Sequence, residues 1–247
     1  MRDITSQEFL SNFFVLKGNH EIEKINKLRD IYAQNPNLEI WSEPKVAATL
    51  KILDIWIIEA EDNDFEKARS VASSAVEILH STDWDLECID LFAHVVEYAD
   101  DYQSLIMKAI DALIEHKKDK RCVTIELNLH TVMTHRTMRD IFYEPNQYGE
   151  RSGQLRGIFE VSYGRILAMS QGGTKYPTPV AVAAIRHGSI TGDVVKVNKG
   201  FEILKKAKRK DVIRIQLKEI QDYALDPTWR TLEPFMKMVR YSQYKIV

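Results

Sequence analysis

Helix-start signals recur along residues 44–115 at an even beat, and that beat limits the possible folds more than any other feature of the chain. Ser42 and Glu43 stand ahead of Pro44, which fits the first helical position because its missing N–H costs nothing there. Asp64 can cap a second segment with Ala68, Ala72, Ala75 and Leu79 on one face. Thr82 or Asp83 can cap a third, carrying Leu86, Ile89, Phe92 and Val96. Asp100 or Asp101 can cap a fourth, carrying Leu105, Ile106, Ala109 and Leu113. Starts spaced about 18 to 20 residues apart leave room for one helix and a tight turn, so a helix pair repeats at about 38 residues. One such helix cannot bury its apolar face alone, but stacked neighbours can. The expected fold is therefore mainly α, with stacked, repeat-like helical hairpins followed by a smaller helical or α+β basic module. The consensus side chains of tetratricopeptide and HEAT-type repeats are not present, so hairpin stacking is expected without membership of those families.

The segments ahead of this array carry their own punctuation. Thr5 and Glu8 form a capping-box pattern before Phe9, Leu10, Phe13 and Phe14, and Gly18 is a stop. Asn19 can cap a second helix through Ile22, Ile25, Leu28 and Ile31, broken by Asn35, Pro36 and Asn37. After Lys120 the period becomes ambiguous. Val123, Ile125, Leu127 and Leu129 alternate with polar residues as in a strand, while Val123, Leu127, Thr131 and His135 lie four apart as in a helix. Ile158–Met169 is open in the same way. Thr178 and Pro179 form a cap-and-proline pair, so a short helix is expected over 180–187 with Gly188 as its stop. Asp193–Val197 and Asp211–Leu217 are β-branched enough for short strands, with a basic helix over 201–209 between them and a last helix opened by Pro227.

Charge divides the chain. Residues 1–150 hold 16 Lys and Arg against 28 Asp and Glu, and residues 151–247 hold 18 against 8, so the net charge of −2 conceals an acidic front and a basic back. The sign changes at Glu144–Gly153, which contains Pro145, Asn146 and Gly149, so a boundary is expected there: an acidic array over 1–148 and a basic module over 149–247. No apolar run reaches the 18 or so residues of a membrane span. The opening residues include Asp3 and Glu8 and lack the layout of a secretion signal. Cys88 and Cys122 are isolated, as befits a reducing compartment. A soluble, cytoplasmic protein with no membrane partner is expected.

The basic half holds the most informative local pattern. Ala184, Gly188 and Val194, with Ala183 and Val197, resemble the packing positions of a helix-turn-helix: a small residue, a glycine four on for a positive φ, and an apolar residue six further. Ser189 stands where an apolar residue is usual, and Gly192 weakens the second helix. An ordinary helix closed by a glycine before a strand gives the same pattern. Lys196, Lys199, Lys205, Lys206, Lys208, Arg209, Lys210 and Arg214 form a dense basic group of the kind that neutralises phosphates and releases counterions. Tyr163, Tyr176, Phe201 and Tyr223 are candidates for stacking on bases. A solvated helix face and a core explain the same lysines and aromatics.

Other motifs point nowhere specific. Glu126 and His130 share a face, but His135 lies five beyond His130, where a helical zinc pair needs four, so no metal site is expected. Met133–Arg136 resemble the histidine–arginine motif of flavin-dependent thymidylate synthases. The serine-rich continuation is missing, and no property of that family is carried over. Gly172, Gly173, Thr174 and Lys175 fall short of a phosphate loop, since Met169 stands where the leading glycine belongs. No catalytic residue and no cofactor are expected. The function expected is a non-enzymatic protein- and nucleic-acid-binding scaffold, with protein contact or self-association through the acidic helices. Two alternatives stand beside it: a self-assembling, nucleocapsid- or matrix-like protein with acidic-to-basic contacts, and a metal-dependent enzyme with a site near Glu126, His130, His135, Arg136 and Arg139.

Overall fold

The computed structural model describes residues 4–16, 22–36, 38–58, 64–96, 98, 102–143, 152–173 and 175–206. All regular structure among them is helical. The helices are α1 (Ser6–Leu16), α2 (Ile22–Gln34), α3 (Pro44–Ile57), α4 (Phe65–His80), α5 (Leu86–Val95), α6 (Tyr102–Glu115), α7 (Lys120–Tyr143), α8 (Ser152–Met169), α9 (Pro177–Thr191) and α10 (Val194–Lys206). The chain divides into two compact units, residues 1–126 and 127–246, with the division inside α7. Residues 144–151, where the charge changes sign, lie outside the described residues.

In unit 1 three local signals act as expected, while Gly18, Asn19, Asp100 and Asp101 lie outside the described residues. The Thr5 N–H donates to the Glu8 carboxylate at 3.0 Å and the Glu8 N–H donates to the Thr5 hydroxyl at 3.2 Å, a complete capping box. Pro44 opens α3, with Glu43 at the cap position and no side-chain capping bond. Asp64 accepts from the Lys67 N–H and starts α4. α5 starts later than either residue expected to cap it, because Asp85, not Thr82 or Asp83, accepts from the Cys88 N–H at 2.9 Å. α3 pairs most extensively with α4, and both meet α5, which is the packing of stacked hairpins. An aromatic cluster joins α1, α2 and the turn at 39–42 to α3 and α5. Phe13 stacks on Trp56 at 5.2 Å with its edge toward His94, and Trp41 lies edge-on to both Phe9 and Tyr32.

The described part of unit 2 comprises the rest of α7 with α8, α9 and α10. The ambiguous segments 121–130 and 158–169 are helical. The strand expected over 193–197 is the start of α10, because Asp193 caps it by accepting from the Lys196 N–H at 2.9 Å. α9 runs from Pro177 through Gly188 to Thr191, and Gly192, at φ 74°, is the left-handed residue that ends it. Leu127, Ile166, Val180 and Ala183 form an apolar cluster, covered by Tyr163, Leu167, Met169 and Tyr176. The strand expected over 211–217 and the helix after Pro227 lie outside the described residues. No described helix is long and apolar enough to cross a membrane.

Candidate functional site

Unit 2 buries polar chemistry around its part of α7. Threonine is a poor helix former because its hydroxyl competes for backbone groups, yet Thr131, Thr134 and Thr137 lie buried in mid-helix. Each hydroxyl is satisfied within the helix, donating to the carbonyl of Leu127 at 2.7 Å, of Thr131 at 2.8 Å and of Met133 at 2.7 Å. The same stretch of helix carries His130, His135, Arg136 and Asp140, which are distributed around it and all buried.

Partners come from each neighbouring helix. From α8, the Ser162 hydroxyl lies 3.2 Å from His130 Nδ1. From α9, Arg186 enters the core at 1% exposure, and its Nη1 donates to the Thr131 carbonyl at 2.7 Å and to the Thr134 hydroxyl at 3.0 Å. Within α7, Arg136 Nε donates to Asp140 at 2.8 Å, a buried i,i+4 ion pair. A charge removed from water is costly unless paired and hydrogen-bonded, and these bonds offset part of that cost. The Ser162–His130 pair contains a nucleophile type and a base type, but both side chains are sealed at 3–4% exposure. This geometry is that of a hydrogen-bonded core pair with no open approach to either group.

Beside this core lies a second, half-open cluster. His187 Nε2 meets the Glu160 carboxylate at 2.8 Å, and its Nδ1 meets Lys196 Nζ at 2.8 Å. A carboxylate only accepts and an ammonium only donates, so the two partners fix His187 as the neutral imidazole with its proton on Nε2. The Tyr163 ring packs on His187 at 4.7 Å, and Lys196 Nζ sits 5.4 Å from the Tyr163 ring centroid. Burial, together with the carboxylates of Glu160 and Asp193, pushes the Tyr163 phenol up from its usual range.

The residues singled out in the sequence separate into three groups. Of the basic set, Lys199 and Lys206 project from α10 into solvent, as does Arg156 from α8, and no described carboxylate pairs with any of the three. Lys196 is engaged by His187 and lies 4.0 Å from Asp193. The Lys205 side chain and Lys208, Arg209, Lys210 and Arg214 lie outside the described residues. Of the helix-turn-helix set, Ala184 is buried, but Gly188 lies inside α9 and Val194 is 50% exposed. Ser189–Thr191 form the last turn of α9, so no turn forms where the motif requires one. Gly188 is small for a different reason: a Cβ there would lie 2.7 Å from both the Asp193 carbonyl and Val197 Cγ2. Gly200 plays the matching part on α10, where a Cβ would lie 2.6 Å from Ile185 and 2.7 Å from the Ala181 carbonyl. These glycines let the two backbones approach.

Of the third group, His130 and His135 are buried and Glu126 is half-buried. No set of three His, Cys, Asp or Glu gathers as a metal site among the described residues. Sequence reasoning passed over Arg186, Ser162, Glu160 and Asp140. Arg186 carried a usable signal, since it interrupts the apolar run Val180–Ile185 at a position that shares its face. Comparison with protein families, characterised proteins and solved structures returns no match to this chain.

Proposed function

We propose that this chain binds nucleic acid through the exposed cations of unit 2, with the acidic helices of unit 1 available for protein contact. The observation that carries the reading is how unit 2 divides its cations. Arg136 and Arg186 are consumed inside, by Asp140 and by the α7 carbonyl and hydroxyl, and serve the core. Arg156, Lys199 and Lys206 are left at the surface without described carboxylate partners, in the half of the chain where Lys and Arg outnumber Asp and Glu by 18 to 8. Phosphates release counterions when such cations replace them, which supplies sequence-independent affinity. The basic run continuing from Lys205 to Arg214 adds to the same charge.

The test is a titration of the nuclease-treated full chain against mixed-sequence single-stranded and duplex oligonucleotides at several salt concentrations, read by fluorescence anisotropy. Binding should weaken steeply with salt. Lys199→Glu with Lys206→Glu should weaken it on every sequence and flatten the salt slope by about 1.5. A folded chain that binds none of these probes at low salt would end this reading. Salt-sensitive self-association without nucleic acid would then assign these cations to the acidic unit of another copy.

A further inference from the structure

We propose that Lys196 is a phosphate contact held in reserve by His187 and released when the imidazole takes up a proton, so that nucleic-acid affinity rises as pH falls. This rests on the nucleic-acid reading above and adds a control to it. The neutral imidazole accepts from the Lys196 ammonium through Nδ1. Once that nitrogen is protonated, it becomes a second donor facing a donor 2.8 Å away, and the two cannot keep that contact. Histidine is the side chain whose ordinary titration falls in the physiological range.

The groups around His187 offer contacts to an imidazolium and to a displaced Lys196. From α8, Glu160 already receives the Nε2–H and attracts the imidazolium. Also from α8, the Tyr163 ring, tilted against His187 at 4.7 Å, can hold either cation against its face, so the imidazolium gains what the ammonium loses. The Tyr163 phenol is held above its ordinary range and stays neutral throughout. Phe159 adds a further ring at 5.9 Å. On α9 itself, Arg186 is directed to Thr131 and Thr134, and the Thr191 hydroxyl donates to the His187 carbonyl. On the α10 side, Asp193 is the carboxylate among the described residues that competes for the freed ammonium. It stands 4.0 Å away, its side chain is 42% exposed, and one of its oxygens already caps α10, so phosphate can outcompete it. Lys196 is 28% exposed and therefore has a path outward. It lies one turn from Lys199 on the same helix, next to the surface proposed to meet phosphates.

The experiment uses the full chain with a mixed-sequence oligonucleotide at pH 7.5 and 5.5, and NMR of the histidine ring nitrogens and the Lys196 side chain without ligand. One added phosphate contact predicts binding about tenfold tighter at pH 5.5, with a salt slope steeper by about 0.7 to 0.9. His187→Gln, whose amide can still donate to Glu160 and accept from Lys196 but cannot take a proton, should reduce the response to about twofold or less. Lys196→Gln should do the same. Affinity independent of pH, or a response that persists in His187→Gln, would overturn the switch and leave the nucleic-acid reading intact. If neither pH gives binding, the nucleic-acid reading falls and NMR decides the switch: an imidazolium with a displaced Lys196 supports it, and a neutral Nε2–H imidazole at pH 5.5 overturns it.

Discussion

The two units close their cores by different means. Unit 1 interlocks aromatic rings, and among its described residues the buried polar side chains are Thr49 and Asp90. Unit 2 buries Arg136, Arg186, Asp140, three histidines, three threonines and three serines in a shorter length of described chain. Apolar packing asks for volume and tolerates adjustment. A polar core asks for directed partners and penalises each one missing. Unit 1 should therefore accept changes of shape, while unit 2 should respond to loss of a single donor.

The largest expected effect tests that contrast directly. Arg186→Met keeps much of the buried volume but removes the charged donor to Thr131 and Thr134, and should cost about 2–3 kcal/mol. Phe13→Met, an apolar exchange beside Trp56, should cost about 1 kcal/mol. Chemical denaturation gives the magnitudes, and peptide-resolved hydrogen exchange shows which unit loosens. An Arg186→Met protein as stable as the parent would mean that this polar core adds nothing to stability, as some buried ionic groups do not.

A second pair sharpens the contrast within unit 2. Alanine is the better helix former by about 1 kcal/mol, so glycine needs a reason to persist in a helix. Gly188→Ala should still destabilise by about 1–3 kcal/mol, because its Cβ would meet the Asp193 carbonyl and Val197 at 2.7 Å. Gly157→Ala on α8, where a Cβ meets nothing within 4 Å, should stabilise by about 0.5–1 kcal/mol. Thermal melts of the two variants should move in opposite directions.

The smallest effect belongs to a polar cluster of unit 1. Lys45 bonds to Asp85 and, at 3.1 Å, to Glu87. Burial alone would raise the Asp85 carboxyl, but Lys45 and the Cys88 and Glu87 N–H groups outweigh it and hold it below its usual range. Burial alone would lower the Lys45 ammonium, and the two carboxylates outweigh that as well. A lowered carboxyl contributes stability above about pH 4, its unfolded value, and loses it as pH falls through the folded value. The raised ammonium contributes below about pH 10.5 and loses it at higher pH. Both partners are half-exposed, so Lys45→Met should cost less than about 1 kcal/mol at pH 7 and almost nothing at pH 2. Equal losses at both pH values would show that Lys45 acts through its aliphatic stem.

Much of unit 1 was legible because its signals are local. The Thr5–Glu8 box and the Asp64 cap join residues three apart. Pro44 needs only its own ring to favour a helix start. α5 shows the limit of such reading: Thr82, Asp83 and Asp85 are all cap-forming types within four positions, and only the folded turn selected Asp85. In unit 2 the deciding partners are remote. Ser162 is 32 positions from His130, and Arg186 is 55 from Thr131. No periodicity announces such pairs, so α7 read as either strand or helix, and Glu160 beside His187 was not anticipated.

The sequence by itself determined that helices would stack in pairs, where several of them begin, and that positive charge would gather in the second half. Those properties follow from capping chemistry, apolar spacing and composition, which act over a few residues or none. Only the tertiary structure decided that Val194 would be exposed on a helix, that Gly188 would serve close packing inside α9, and that Lys196 would face an imidazole instead of water. Each of these depends on which helices meet and how closely. The α9–α10 contact selects glycine where two backbones touch, and the α8–α9–α10 contact assigns His187 a donor role on one ring nitrogen and an acceptor role on the other.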